Sequence, residues 1–187
     1  MARDDTASET PESHVRDLGT RARAALPALA VASREAKDAA LASAARALRA
    51  GRQALLSANA ADIAAARAGG MAESFIDRLT LTEERIEGIA AGLEAVAALP
   101  DPVGRLLDTT SRPNGLVIER VAVPIGVIGM IFESRPNVAA DAGALCLKSG
   151  NAAVLRGGSA AESTNRELVA LIRSALESVG LPAAAVQ

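Results

Sequence analysis

Aromatic residues are almost missing from this sequence: Phe75 and Phe132 are the only two, with no tryptophan and no tyrosine. A core without rings must be filled by alanine, leucine, valine and isoleucine, and 50% of the residues are hydrophobic. Such side chains let helices pack closely on one another and on a sheet. Cysteine occurs once, at Cys146, which excludes an internal disulfide and fits a reducing, cytoplasmic setting. The single histidine, His14, has no catalytic pattern around it. Net charge is only −2, so there is no electrostatic case for a nucleic-acid partner. No apolar run approaches the ~18–20 residues of a membrane span. Residues 1–13 carry Asp4, Asp5, Glu9 and Glu12 without an apolar centre, which excludes a secretory signal and predicts a disordered tail.

What the chain has instead is helical periodicity. A short helix is expected over residues 15–25, broken near Pro27, which lacks a backbone donor. A longer one starts at Ser33 and carries Leu41, Leu48 and Leu55 on one stripe, interrupted at Gly51. Residues 59–68 form a third segment closed by Gly69-Gly70. Thr80 or Thr82 caps the next helix, with Ile86, Ile89, Leu93 and Val96 as its buried stripe and Pro100 as its stop. Asn114-Gly115 then signals a β-hairpin whose second strand runs over residues 116–123.

The densest information lies in residues 121–159, VAVPIGVIGMIFESRPNVAADAGALCLKSGNAAVLRGGS. Two apolar runs, 125–132 and 152–155, lack period-two alternation and so predict strands buried on both faces. Residues 138–148 between them predict a helix that begins after Pro136-Asn137 and ends at Gly150. Strand, helix and strand with short links make a parallel βαβ unit, and ligands of open α/β sheets bind beyond the carboxyl ends of the strands. Those ends are residues 133–137 and 156–159. A further helix over 162–179 leads to residues 184–186, the expected start of a third strand. A domain that stops there reads as a fragment.

The segments 98–105 (ALPDPVGR), 112–121 (RPNGLVIERV), 123–138 (VPIGVIGMIFESRPNV) and 144–159 (ALCLKSGNAAVLRGGS) carry a family resemblance. They are similar to the N-terminal part of the γ-glutamyl phosphate reductase branch of the aldehyde dehydrogenase superfamily, and weaker similarity reaches back to Leu41. The resemblance implies an α/β, aldehyde-dehydrogenase-like fold: N-terminal helices plus a truncated Rossmann-like parallel βαβ cofactor region. It divides the chain into a tail (1–13), a helical part of the cofactor domain (14–104), a hairpin of an oligomerisation arm (105–122) and the NADP-binding βαβ region (123–187). It also implies NADPH-dependent reduction of L-glutamate 5-phosphate to the semialdehyde in proline biosynthesis, by a homo-oligomer when complete. The nucleophilic cysteine of that branch lies outside these residues, so the fragment is expected to be inactive alone. A non-catalytic nucleotide-binding or assembly module, and a sister reductase of acyl phosphates or thioesters, are the competing readings.

Candidate site residues follow from both lines. Arg156, Gly157, Gly158 and Ser159 put a cation, two exposed peptide groups and a hydroxyl at a strand end, a pattern suited to phosphate or ribose. The resemblance makes this the NADP(H) contact, with the fork of Arg156 matched to a 2′-phosphate. G-x-G-x-x-G is absent, which excludes the ordinary Rossmann grip. Asn137 is either an oxyanion donor or simply a helix N-cap. Aligning the superfamily asparagine from either side gives Arg135 or Glu133 instead, and Arg135 is a rival for binding an acidic substrate. Cys146 sits mid-helix between leucines with nothing to activate it, so it reads as a small core residue. Lys148 fits a charge at its helix C-terminus, with a cofactor role as the alternative. No metal site is expected.

Overall fold

The computed structural model describes residues 10–187. Of the expected disordered tail, residues 1–9 lie outside the described residues, and residues 11–13 belong to the first helix instead. Thr10 is its N-cap, accepting from the Ser13 N–H at 3.1 Å, and Pro11 takes the first helical position, where a missing donor costs nothing.

That helix, α1 (Pro11–Ala30), runs straight through Pro27. The expected break is overridden because Ala22, Ala25 and Leu29 bury one stripe on both sides of the proline. Pro27 and Arg23 face outward, so water can satisfy the carbonyl left without its donor. The long helix does divide at Gly51, into α2 (Arg34–Ala50) and α3 (Arg52–Ala68); the expected segment 59–68 is thus the end of α3. A Cβ on Gly51 would lie 2.8 Å from a Leu171 methyl group, so glycine there lets the two helices approach a third. Next come α4 (Glu73–Leu79) and α5 (Glu83–Ala98), the latter capped by Thr82. Strands β1 (Leu106–Ser111) and β2 (Val117–Val121) form the antiparallel hairpin, turned at Gly115 with φ 85°. Its side chains are almost all exposed.

The βαβ unit follows as β3 (Val127–Ile131), α6 (Pro136–Lys148) and β4 (Ala152–Arg156). The strands are parallel, in register from Val127 opposite Ala152 to Ile131 opposite Arg156. Pro136 begins α6 and Arg135 is its N-cap, so Asn137 lies inside the first turn and the N-cap reading of Asn137 is corrected. Asn151 staples the strand starts: its Oδ1 accepts from the Gly126 N–H at 2.8 Å. Helix α7 (Glu162–Ser178) returns, and residues 183–185 form a 3-10 turn rather than extended chain. Parallel pairing resumes only at Val186, beside Ala153, with the Gln187 N–H donating to the Ala153 carbonyl at 2.9 Å.

One continuous core joins α1, α2, α5, α6, α7 and β4, from Ala22 and Leu48 to Leu168 and Val186. Helix α1 covers one face of the strands and α6 the other. The small residues of α6 permit this: a Cβ on Gly143 would come within 3.2 Å of Val186. Burial of β3 on both faces does not hold. Ala152 and Ala153 of β4 are buried, whereas β3 pairs only with β4 among the described residues and leaves Ile131 84% exposed.

Candidate functional site

The level register of β3 and β4 brings their carboxyl ends side by side, and the Phe132 N–H donates to the Arg156 carbonyl at 3.0 Å. The two loops beyond touch. A Cβ on Gly158 would collide with the Ser134 hydroxyl, and one on Gly157 with the Asn165 amide. A side chain at either glycine would displace the Ser134 hydroxyl or the Asn165 amide, so glycine here lets the two loops approach. Arg156 is exposed, its guanidinium donating to the Gly157 carbonyl at 2.9 Å, and Ser159 is exposed beside it. The Oδ1 of Asn165, below Gly157, is buried without a hydrogen-bond partner among the described residues.

Helix α7 starts directly after this turn with no cap of its own. Asp62 of α3 supplies one from outside, accepting from the N–H groups of Ser163 at 3.2 Å and Thr164 at 2.8 Å. Asn59 extends the network, accepting from the Leu81 N–H at 2.7 Å and donating to the Leu79 carbonyl at 2.9 Å. The negative end demanded by the α7 dipole is therefore already filled by protein.

An open cleft of about 460 Å³ lies at the carboxyl end of β3, lined by Arg135, Pro136, Asn137 and Asp141 and by Asp77, Arg78, Thr80 and Arg85 across from them. A second, of about 250 Å³, adjoins it and is lined by Met71, Phe75, Arg78, Glu133, Ser134 and Arg135. Asn137 faces the first cleft and donates to Asp141 at 3.0 Å through one amide hydrogen, leaving the other available. Arg135 and Asn137 thus line one cavity, while Arg156 and Ser159 belong to the neighbouring strand end.

Two residues point elsewhere. Cys146 is buried in α6, and burial pushes its thiol pKa up, the opposite of an activated nucleophile. Lys148 is 3% exposed; its ammonium pairs with Asp38 and donates to the Ala97 carbonyl at 2.7 Å. It ties α6 to α2 and α5, at the opposite end of α6 from the cleft. Sequence reasoning missed Arg78, Arg85, Asp77 and Thr80, because no local pattern places the α4–α5 junction against residues 135–137. It also missed Asp62, whose only local sign is a carboxylate in an otherwise apolar stretch.

The fold is that of the aldehyde dehydrogenases. An acetylating aldehyde dehydrogenase from Geobacillus thermoglucosidasius superposes over 93% of this chain and 36% of its own, with TM-score 0.62 at 16% identity. A much closer likeness is the γ-glutamyl phosphate reductase of Thermotoga maritima, with TM-score 0.91 and 41% identity over 92% of this chain and 42% of that one. The γ-glutamyl phosphate reductase of Erythrobacter litoralis is 60% identical over 177 residues, 95% of this chain and 42% of the relative. The chain belongs to the γ-glutamyl phosphate reductase family and spans about two fifths of the length of the curated relatives it matches. No protein-family model matches it.

Proposed function

We propose that this chain carries part of the cofactor and substrate clefts of a reductase that converts L-glutamate 5-phosphate to L-glutamate 5-semialdehyde, using NADPH and releasing phosphate, in proline biosynthesis. The observation that carries the reading is the 60% identity over 177 residues to a γ-glutamyl phosphate reductase. The adjacent loops at residues 133–137 and 156–159 support it. So does the fit of a nucleotide to the second loop: an exposed guanidinium, an exposed hydroxyl and, beside two glycines, the Asn165 Oδ1, which has no partner among the described residues and would accept from a ribose hydroxyl.

Bound NADPH would supply a hydride. Arg156 would hold its 2′-phosphate by charge-assisted hydrogen bonds and Ser159 its ribose. Because Asp62 already caps α7, the cation that phosphate meets on this side is Arg156 rather than the helix end. Asn137 would donate its free amide hydrogen to the oxyanion that forms when a thiolate attacks the acyl phosphate carbon. Arg135, on the same cleft, would bind the acidic substrate. The thiolate must come from outside these residues, since Cys146 is buried; the 187-residue chain alone is inactive on this reading. The exposed β1–β2 hairpin would serve assembly into a homo-oligomer.

The test is to express the gene's whole reading frame and the 187-residue chain side by side. Phosphate-dependent reduction of NADP by glutamate semialdehyde is expected from the former alone. Activity from the short chain would overturn the assignment of the nucleophile, and none from either would favour a non-catalytic module.

A further inference from the structure

We propose that Arg78 and Arg135 together form an oxyanion subsite, one guanidinium from each wall of the paired clefts, that takes a phosphoryl or carboxylate group of the substrate. The proposal rests on the reductase reading and adds Arg78 as a specificity-determining residue.

Three arginines line these clefts, and their commitments differ. Arg85 is used by the fold: it donates to the carbonyls of Asp77 at 2.5 Å and Thr80 at 2.7 Å and pairs with the Asp77 carboxylate at 3.1 Å. It locks the α4–α5 junction and has little left to offer a ligand. The Arg78 guanidinium makes no hydrogen bond or ion pair among the described residues; it stacks 5.6 Å from the Phe75 ring centroid. The side chain of Arg135 likewise has no partner among them. These two alone, with no other residue, line both clefts, which places them at the boundary the clefts share.

The carboxylates nearby do not pair with them. Asp77 is held by Arg85; Asp141 accepts from the neutral Asn137 amide and keeps its charge, and Glu133 has no partner among the described residues. Two unpaired cations beside two carboxylates suit a ligand that carries both anionic ends and an ammonium, which is the chemistry of an amino acid bearing a phosphoryl group. The contact with Phe75 favours this position of Arg78 before a ligand arrives. A planar guanidinium fork then matches two oxygens of a carboxylate or phosphoryl group. Helix α6 adds to the field: its first turn has no acidic residue and its N-terminus no side-chain cap.

Arginine-selective labelling with p-hydroxyphenylglyoxal, read at each residue by peptide mass spectrometry, tests this on the 187-residue chain. At inorganic phosphate about twice its dissociation constant, mass action should slow labelling of Arg78 and Arg135 about threefold. Arg120, exposed on the hairpin, should be unaffected. L-glutamate in place of phosphate distinguishes the two sources: protection by glutamate alone assigns the subsite to a carboxylate, and by phosphate alone to the phosphoryl group. In Arg135→Gln, protection of Arg78 should fall to the Arg120 level. Persistence of Arg78 protection in that variant, or equal behaviour of Arg78 and Arg120 with both probes, overturns the proposal. Protection without reductase activity from the whole reading frame would retain the subsite and discard the reductase reading; activity without protection would do the reverse.

Discussion

The carboxylate of Asp62 accepts from the backbone N–H of Thr164 at 2.8 Å and from its hydroxyl at 2.7 Å, across 102 residues of sequence. This buried contact fixes where α7 begins, and with it the Ser159 turn at the end of β4. Removing the acceptor strands the Thr164 N–H and hydroxyl in a protein interior and frees the more exposed Ser163 N–H. Asp62→Ala should therefore lower stability by about 1–3 kcal/mol, while Asp62→Asn, which keeps an acceptor, should cost less. Urea unfolding midpoints check the order; equal midpoints for parent and alanine variant would remove Asp62 from the account.

A second long-range pair joins Lys37, 1% exposed on α2, to Asp101 at 2.5 Å. Burial alone would raise the Asp101 carboxyl. The Lys37 hydrogen bond, the Val103 N–H and the charges of Lys37 and Lys148 outweigh it and hold the group below its ordinary value. A depressed folded pKa gives stability that is present above the unfolded pKa, about 3.9, and lost as pH falls through the folded one. Lys37→Met should cost about 3–5 kcal/mol by leaving the carboxylate unpaired. Lys37→Met with Asp101→Asn should recover part of that loss and flatten the acid limb of the stability curve, measured by denaturant titration from pH 6 downward.

How much of this was legible in sequence depends on the range of each interaction. The βαβ unit was readable because residues 125–159 encode it locally, through two apolar runs and a glycine at φ 73° after α6. The hairpin at Asn114-Gly115 was local too, as was the α5 cap down to the choice between Thr80 and Thr82, which the fold gives to Thr82. Pro27 misled because tertiary burial of Ala25 and Leu29 outweighs one lost hydrogen bond. Burial of β3 was misread because an apolar run reports what a strand can bury, not which neighbours cover it. In the candidate site, the strand ends were legible while their opposite wall was not. Arg78 and Arg135 come to line the same clefts only in the folded chain, and nothing in either segment announces the other.

Cys146 should behave as core. Its folded pKa is raised by burial, so the folded state keeps the thiol proton that the unfolded chain loses. That contribution to stability is complete below the unfolded pKa, about 8.5, and is lost as pH rises through the folded value. Iodoacetamide should label native protein far more slowly than urea-unfolded protein at pH 8. In the enzyme from the whole reading frame, Cys146→Ser should retain turnover within a few-fold. Near-total loss would make Cys146 the nucleophile.

Arg156 offers a cofactor test. In the same enzyme, Arg156→Ala should weaken NADPH by about 10- to 150-fold, the worth of a charge-assisted hydrogen bond of roughly 1.5–3 kcal/mol. NADH, which lacks the 2′-phosphate, should change little. Equal losses in KM for the two cofactors would move Arg156 away from that group.

The edge of β3 makes a prediction about the chain's own solution behaviour. Val123, Ile125 and Ile131 are 76%, 85% and 84% exposed, on or beside a strand with one paired neighbour among the described residues. Apolar, uncharged segments with unpaired backbone groups template further pairing. The 187-residue chain should therefore associate as its concentration rises and bind a hydrophobic dye, while keeping its helical far-UV signal. Ile131→Glu should shift sedimentation toward monomer. It charges the free edge and also places a carboxylate beside Arg156, its register partner on the parallel neighbour. A parent chain that stays monomeric and binds no dye, or an Ile131→Glu chain that associates as strongly, would show that the edge of β3 does not drive association.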